Sequence, residues 1–102
     1  MSDKYILIDK NIVQCDSLME WARWFKSANH QVALYERDGV KVSTVFLGLN
    51  HAFGGATPIL FETMILGGEH DGFQERCTTW EQAEEMHRSA CKLCGVNAET
   101  AT

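Results

Sequence analysis

The stretch from Val40 to Trp80 constrains the fold most, because it contains two apolar runs rich in β-branched residues. The first run covers residues 40–49, the second covers residues 59–66, and a glycine-rich loop separates them. β-Branched and aromatic residues favour strands, while Gly, Asn and Pro mark the breaks between strands. The stretch therefore predicts the sheet core of a small domain. It contains no complete catalytic or cofactor motif.

The turn residues predict how the strands pair. Asp38-Gly39 between two strand-like segments indicates a two-residue type I′ turn, whose central positions both need positive φ. This turn would join a strand at residues 31–37 to the run that starts at Val40. The implied register pairs Arg37 with Val40, Glu36 with Lys41, Leu34 with Ser43 and Val32 with Val45. Near the start of the chain, residues 5–13 predict a small hairpin or a bent edge strand, with its turn at residues 9–11.

Two amphipathic helices are predicted, each behind a capping residue. Ser17 and Glu20 have the spacing of a capping box, as have Thr79 and Gln82. The first helix runs to about residue 28, and the second ends at Gly95, a residue suited to the position after a helix.

One face of each helix is apolar. The face of the first helix contains Leu18, Trp21, Ala22 and Phe25, and Trp24 lies off this stripe, where it either widens the buried face or stays partly exposed. The face of the second helix contains Trp80, Ala83, His87, Ala90, Cys91 and Cys94.

These elements predict an α+β fold. An antiparallel sheet of about four strands, near residues 31–37, 40–49, 59–66 and 73–77, would be covered on one face by both helices, since each helix buries a single stripe. A length of 102 residues suits one domain over residues 1–96, followed by a disordered tail at residues 97–102.

Composition and charge exclude several classes of protein. An apolar content of 45% and a charged content of 23% are typical of a soluble globular protein. No apolar run approaches the roughly 20 residues that cross a bilayer, and the first residues lack the pattern of a signal peptide. A cytosolic location follows, with all four cysteines as thiols. The net charge of −5 opposes nonspecific binding to nucleic acid but permits an acidic surface that docks on a basic partner.

The candidate binding site is the loop between the two apolar runs. Residues 50–58 exceed the length of a tight hairpin turn, and loops on a rigid scaffold often carry recognition. An exposed aromatic residue among small residues is a typical anchor for a partner. The predicted binding residues are Asn50, His51, Phe53, Gly54, Gly55 and Glu62. The alternative is a plain connection in which Phe53 folds back onto the edge of the sheet.

Glu62 lies in an apolar strand and allows three interpretations. Its carboxylate is a general base, a core acid satisfied by an arginine or a backbone donor, or a group that faces solvent. Strand alternation places Leu60, Glu62 and Met64 on one face, and Phe61, Thr63 and Ile65 on the other. An enzyme would combine Glu62 with a histidine, but His51 and His70 lie at opposite ends of this strand.

His87, Cys91 and Cys94 have the spacing of one helix face, and Cys77 precedes that helix. Zinc favours such ligands in tetrahedral sets, but zinc modules usually bring them from two separate elements. The alternative is that the cysteines act as small buried hydrophobic residues. Cys91 and Cys94 also have the CxxC spacing of a redox pair. That interpretation is rejected, because the two cysteines lie near the C-terminus of the helix, where the helix dipole raises the pKa of a thiol. The sequence predicts no metal and no cofactor.

Four segments resemble a small family of proteins found in tailed-bacteriophage and prophage genomes. They are MEWARWF at residues 19–25, STVFLGLNH at 43–51, LFETMILGG at 60–68 and RCTTWEQAEEMH at 76–87. The resemblance covers roughly residues 5–90 and implies a phage accessory protein that acts in the host cytoplasm, with no established activity. Relatives usually have an aromatic residue in place of Cys77, and the pair Cys91 and Cys94 lies outside the family pattern, which argues against zinc.

The resulting hypothesis is a non-enzymatic phage protein that binds and modulates a host component, with a host protein as the expected partner, in host takeover or counter-defence. Small size, acidity, the lack of catalytic motifs and the phage resemblance favour it. The alternative is a small-ligand binder, for example a nucleotide-sequestering protein that uses the loop at residues 50–58. Direct nucleic-acid binding and membrane association are not expected, and the formation of homo-oligomers stays open.

Overall fold

The structure is a computed structural model that describes residues 3–52 and 57–95. The elements are β1 (Tyr5–Ile8), β2 (Asn11–Gln14), α1 (Leu18–Ser27), β3 (Gln31–Arg37), β4 (Val40–Phe46), β5 (Phe61–Leu66), β6 (Gln74–Cys77) and α2 (Trp80–Leu93). An antiparallel sheet has the strand order β3-β4-β5-β6, and β1 and β2 form a separate hairpin. The α+β class and the four-stranded antiparallel sheet are therefore confirmed. The predicted tail at residues 97–102 lies outside the described residues.

The β3–β4 hairpin turns at Asp38 and Gly39, whose φ angles are 52° and 81°. Both are positive, as a type I′ turn requires, so the prediction of this turn is confirmed. Three of the four predicted pairs are present, but Gln31 and not Val32 pairs with Val45.

A bulge at Val32 causes this difference in register. The extra residue lets Val32 pack against the core cluster around Phe46. The side-chain amide of Gln31 donates to the backbone oxygens of Ala33 and Thr44, at 2.7 and 2.8 Å. A bulge disrupts the ladder locally, and these bonds satisfy backbone acceptors at that point.

The β1–β2 hairpin confirms the first of the two predicted alternatives. Its turn has two residues, Asp9 and Lys10, because Asn11 already pairs with Ile8 in the ladder. The backbone N–H of Tyr5 donates to the carbonyl oxygen of Gly48 at 2.8 Å, which ties the hairpin to the chain that leaves β4.

Helix α1 packs on the rest of the protein through aromatic side chains that include two tryptophans. The Nε1 atom of Trp21 donates to the carbonyl oxygen of Gly48 at 3.0 Å, and Trp24 meets the ring of Phe46 edge-on. The predicted stripe is wrong at Leu18 and Ala22, which are exposed. The two indole rings bury more area than the side chains of Leu18 and Ala22 would, and the indole N–H of Trp21 has its acceptor at Gly48. Trp24 packs against the core cluster around Phe46 and stays partly exposed, so both of its predicted alternatives hold in part.

Helix α2 packs on the four-stranded sheet and contacts each of its strands. The predicted capping box is present, since Thr79 Oγ1 accepts from the N–H of Gln82 and the Gln82 side chain accepts from the N–H of Thr79, both at 3.1 Å. The buried residues of the helix are Ala83, Met86, His87, Ala90 and Cys91, which confirms most of the predicted face. Gly95 follows the helix with a φ of 82°, as expected.

Burial alternates along β5 as predicted, because Phe61, Thr63 and Ile65 are fully buried while Glu62 and Met64 are only partly buried. Leu60 departs from the pattern. It is only 1% exposed and joins a core cluster with Phe46, Phe61 and Ala83. Leu60 precedes β5, where the alternation of the strand no longer determines the direction of the side chain.

Candidate functional site

The loop that starts at Asn50 is held at its base by one side chain. The Oδ1 atom of Asn50 accepts from the backbone N–H groups of Ala52 and Ile59, at 2.8 and 3.0 Å. The backbone N–H of His51 donates to the carbonyl oxygen of Ile59 at 3.0 Å. Asn50 therefore acts as a clamp between the two ends of the loop, because it satisfies a donor on each side.

Of the other predicted loop residues, the structure describes only His51. The side chain of His51 is exposed. Phe53, Gly54 and Gly55 lie outside the described residues. His51 precedes β5 and His70 follows it, so the two histidines belong to opposite ends of that strand.

Glu62 is held in an ion pair on the side of the sheet opposite Thr63. Its Oε2 atom is 2.9 Å from Nε of Arg76, and it also accepts from the side-chain amide of Gln74. The side chain of Glu62 is 13% exposed. Arg76 lies directly opposite Glu62 in the β5–β6 ladder, so the pair is a cross-strand contact. Of the three interpretations, the acid satisfied by an arginine fits these contacts.

A chain of polar side chains crosses the core between β5 and α2. The hydroxyls of Thr63 and Thr44 are 2.5 Å apart, and Oγ1 of Thr44 is 2.8 Å from Nδ1 of His87. Burial lowers the pKa of His87, and the charge of Arg88 lowers it further. His87 is 2% exposed, so its ring is neutral at pH 7 and out of reach of an external substrate.

The thiols of the second half of the chain are kept protonated by burial. Burial raises the pKa of Cys91 to about 11 and also raises the pKa of Cys94. The pKa of Cys77 is raised by burial and by the charge of Glu75. A thiolate is the reactive form of cysteine, so these three thiols are poor nucleophiles.

The four candidate zinc ligands, Cys77, His87, Cys91 and Cys94, do not form one cluster. Cys91 packs in a cluster with Val42, and Cys94 lies against that cluster. Cys77 packs against the other cluster, around Phe61. Over residues 3–52 and 57–95, no group of three or more potential ligands could hold a metal ion.

Helix α1 presents an exposed apolar surface, which includes part of the face that the sequence predicts to be buried. No residue of the helix is buried. Leu18 is 64% exposed and Met19 is 72% exposed, while Phe25 is 37% exposed. Ala22 lies one turn after Leu18 and Met19, and these three residues form what we term the α1 surface, on the side away from Trp24. Phe25 borders this surface and turns its ring toward Trp21 and His30. The sequence signal for this arrangement is the second tryptophan, Trp24. Its ring can bury more area against the core than Leu18 or Ala22 of the predicted stripe.

Described residues line two concave regions away from the α1 surface. A groove of about 460 Å³ runs between β6 and α2. A cavity of about 260 Å³ lies beside the turn after β5 and the end of α2, and His70 and Cys94 line it. We term the first region the β6–α2 groove. Sequence periodicity cannot reveal it, because its two walls come from elements whose relative placement depends on the packing.

No protein-family profile, no curated protein and no solved structure matches the chain. Of the two helices within the described ranges, neither is long and apolar enough to span a membrane.

Proposed function

We propose that this protein acts by binding another protein and catalyses no reaction itself. The α1 surface carries this proposal. Large apolar side chains on one exposed helix face are typical of a surface that a partner covers. Leu18 and Met19 are the most exposed of the large apolar residues in the described part of the chain.

The state of the ionisable groups supports a role without catalysis. Glu62 is engaged by Arg76 and Gln74, and His87 is buried and neutral. The pKa values of Cys77, Cys91 and Cys94 are raised, so none of these groups is poised as a nucleophile or base near pH 7.

The proposed arrangement has both helices on the same face of the four-stranded sheet. Trp24 of α1 meets Phe46, and His87 of α2 meets Thr44, which lies two residues earlier on β4. Side chains two residues apart in a strand point to the same side. This packing turns the α1 surface outward, next to the segment that leads from Gly48 into the loop at residues 50–58.

The phage resemblance indicates what kind of partner the protein binds. A phage accessory protein acts in the host cytoplasm, and its partner is then a host protein whose activity it modulates. The net charge of −5 favours a partner with a basic surface.

The test is affinity capture from host lysate with matched variants. Leu18→Gln with Met19→Gln should abolish the capture of a stoichiometric protein partner and leave the melting temperature nearly unchanged, because both side chains are exposed. Leu93→Gln, at an apolar residue of α2 that is 44% exposed, should leave capture intact. A small molecule that co-purifies in place of a protein would refute the proposal and favour a ligand-binding function. Equal capture of the protein partner by the double variant would refute the α1 surface as the binding site.

A further inference from the structure

We propose that the β6–α2 groove binds an extended, basic segment of a partner protein, which adds to the sheet as a strand beside β6. The inference concerns a surface other than the α1 surface and does not depend on it. It follows from the unpaired edge of β6, from the shape of the groove and from its charge.

Strand β6 lies at one edge of the sheet. The backbone N–H of Ile65 donates to the carbonyl oxygen of Phe73 at 3.0 Å, and Thr63 lies opposite Glu75. Alternate residues of an antiparallel strand bond to the same neighbour, so the backbone groups of Gln74 and Arg76 point away from β5. No strand in the described ranges pairs with this side of β6. An unpaired edge is a template for a further strand.

The groove gives an added strand a place for its side chains. One wall is β6 itself, and the other is a stripe of α2 residues at helical spacing, namely Gln82, Glu85, Met86 and Ser89. Met86 is 6% exposed and gives this wall an apolar base. Every second side chain of a strand that pairs with β6 would enter the space between the edge and the helix. Strand addition next to a groove is a recurring mode of peptide recognition.

The charge of the groove selects the chemistry of the segment. Glu75 is exposed on the groove wall, and its carboxylate makes no ion pair with a described residue. Arg76, which also lines the groove, is paired with Glu62. Glu85 is paired with Arg88 at 2.6 Å. The groove therefore offers one unpaired negative charge, which a lysine or arginine of the partner would complement.

Residues 53–56 and 96–102 lie outside the described residues and are alternative occupants. Residues 96–102 contain Glu99 and no lysine or arginine, and residues 53–56 carry no charge. Neither segment complements Glu75, so charge favours a segment from another protein.

The test uses a labelled peptide of alternating threonine and lysine, with fluorescence anisotropy at about 0.15 M salt. Glu75→Lys should weaken binding at least about tenfold. The control is Glu84→Lys, which changes the net charge equally at an exposed position of α2 outside the groove and should weaken binding less than about twofold. A peptide with methylated backbone nitrogens should bind at least about tenfold more weakly, because it cannot donate to the edge of β6. If Glu75→Lys lowers the melting temperature, Glu75→Gln serves as the conservative variant, with weakening of about threefold or more.

Backbone amide shifts in NMR locate the peptide. Shifts at residues 74–77 and along the α2 stripe would support the inference, and the variant Leu18→Gln with Met19→Gln should leave the peptide affinity unchanged. The inference is overturned if the peptide does not bind, if both charge variants weaken binding equally, or if the methylated peptide binds as well. Shifts centred on β3 would also overturn it, as would displacement of residues 96–102 from the groove by the peptide.

Discussion

Thr44 of β4 and His87 of α2 share a hydrogen bond of 2.8 Å between Oγ1 and Nδ1, inside the core. The same hydroxyl is 2.5 Å from that of Thr63, so three side chains from three elements form one polar chain. A buried polar group needs such partners, because an unsatisfied one costs about 1–3 kcal/mol. This chain therefore couples the position of α2 to the two central strands.

The first prediction is a loss of stability in acid that depends on His87. Burial lowers the pKa of His87 in the folded state, while the unfolded chain protonates this residue near its ordinary pKa of about 6.5. Below that pH the unfolded state binds more protons than the folded state. The free energy of unfolding therefore decreases as the pH decreases, by up to about 1.4 kcal/mol per pH unit from this group. The free energy of unfolding, measured with denaturant between pH 7 and pH 5, should depend less steeply on pH in His87→Gln. His51→Gln, at an exposed histidine, should keep the slope of the original protein.

The second prediction concerns Gly67, which has a φ of 84°. A Cβ atom there would lie 2.0 Å from the carbonyl oxygen of Gly39, so the backbone of the β3–β4 turn would have to move. Gly67→Ala should lower the free energy of unfolding by more than about 3 kcal/mol, measured with denaturant. Gly72 has a φ of 91° but no atom within 4 Å of such a Cβ. Gly72→Ala should therefore cost only the backbone strain, about 1–2 kcal/mol, and equal losses would contradict the argument.

The third prediction separates Asn50, at the base of the loop, from the predicted binding residues His51 and Phe53. Asn50→Ala removes the acceptor of two backbone N–H groups and should cost about 1–3 kcal/mol of stability. His51→Ala and Phe53→Ala should leave the melting temperature nearly unchanged and weaken partner binding at least about tenfold, which is about 1.4 kcal/mol. A drop of many degrees for Phe53→Ala, with no effect of His51→Ala, would mean that the loop is structural.

The fourth prediction concerns the ion pair of Glu62 and Arg76. A double-mutant cycle with Glu62→Gln and Arg76→Gln should give a coupling of roughly 0.5–1 kcal/mol, because Arg76 is 41% exposed and solvent weakens the attraction. Arg76→Gln alone should destabilise the protein more than the double variant, since it leaves the carboxylate of Glu62 without its cation. A coupling near zero would show that Gln74 alone satisfies Glu62.

The fifth prediction is that the protein needs no metal. The purified protein should contain less than about one-tenth equivalent of zinc, and a chelator should leave its melting temperature unchanged. Near-stoichiometric zinc that is lost in Cys91→Ser or Cys94→Ser would reverse this conclusion.

Local signals in the sequence determined the elements and several of their ends. The Asp38-Gly39 turn, the Thr79 cap and the glycine after α2 each act within a few residues, so they need no knowledge of the rest of the fold. The alternation of Phe61, Thr63 and Ile65 likewise follows from the geometry of one strand.

Contacts between distant residues were decided only by the tertiary structure. The bulge at Val32 exists because that side chain reaches the cluster around Phe46. Trp24 displaces Leu18 from the core side of α1 because Phe46 lies beneath it. Such choices depend on the area that each alternative buries, which a single segment does not specify.

The same distinction applies to the candidate sites. The sequence alone placed Glu62 in a strand, but its register with Arg76 across β5 and β6 made it a paired acid. Cys77 and Cys91 were separated because they pack against different clusters. The β6–α2 groove arises where the end of the sheet meets the side of a helix, a relationship that depends on how α2 docks on the strands. Local periodicity determined the elements of this protein, and packing between them determined its surfaces.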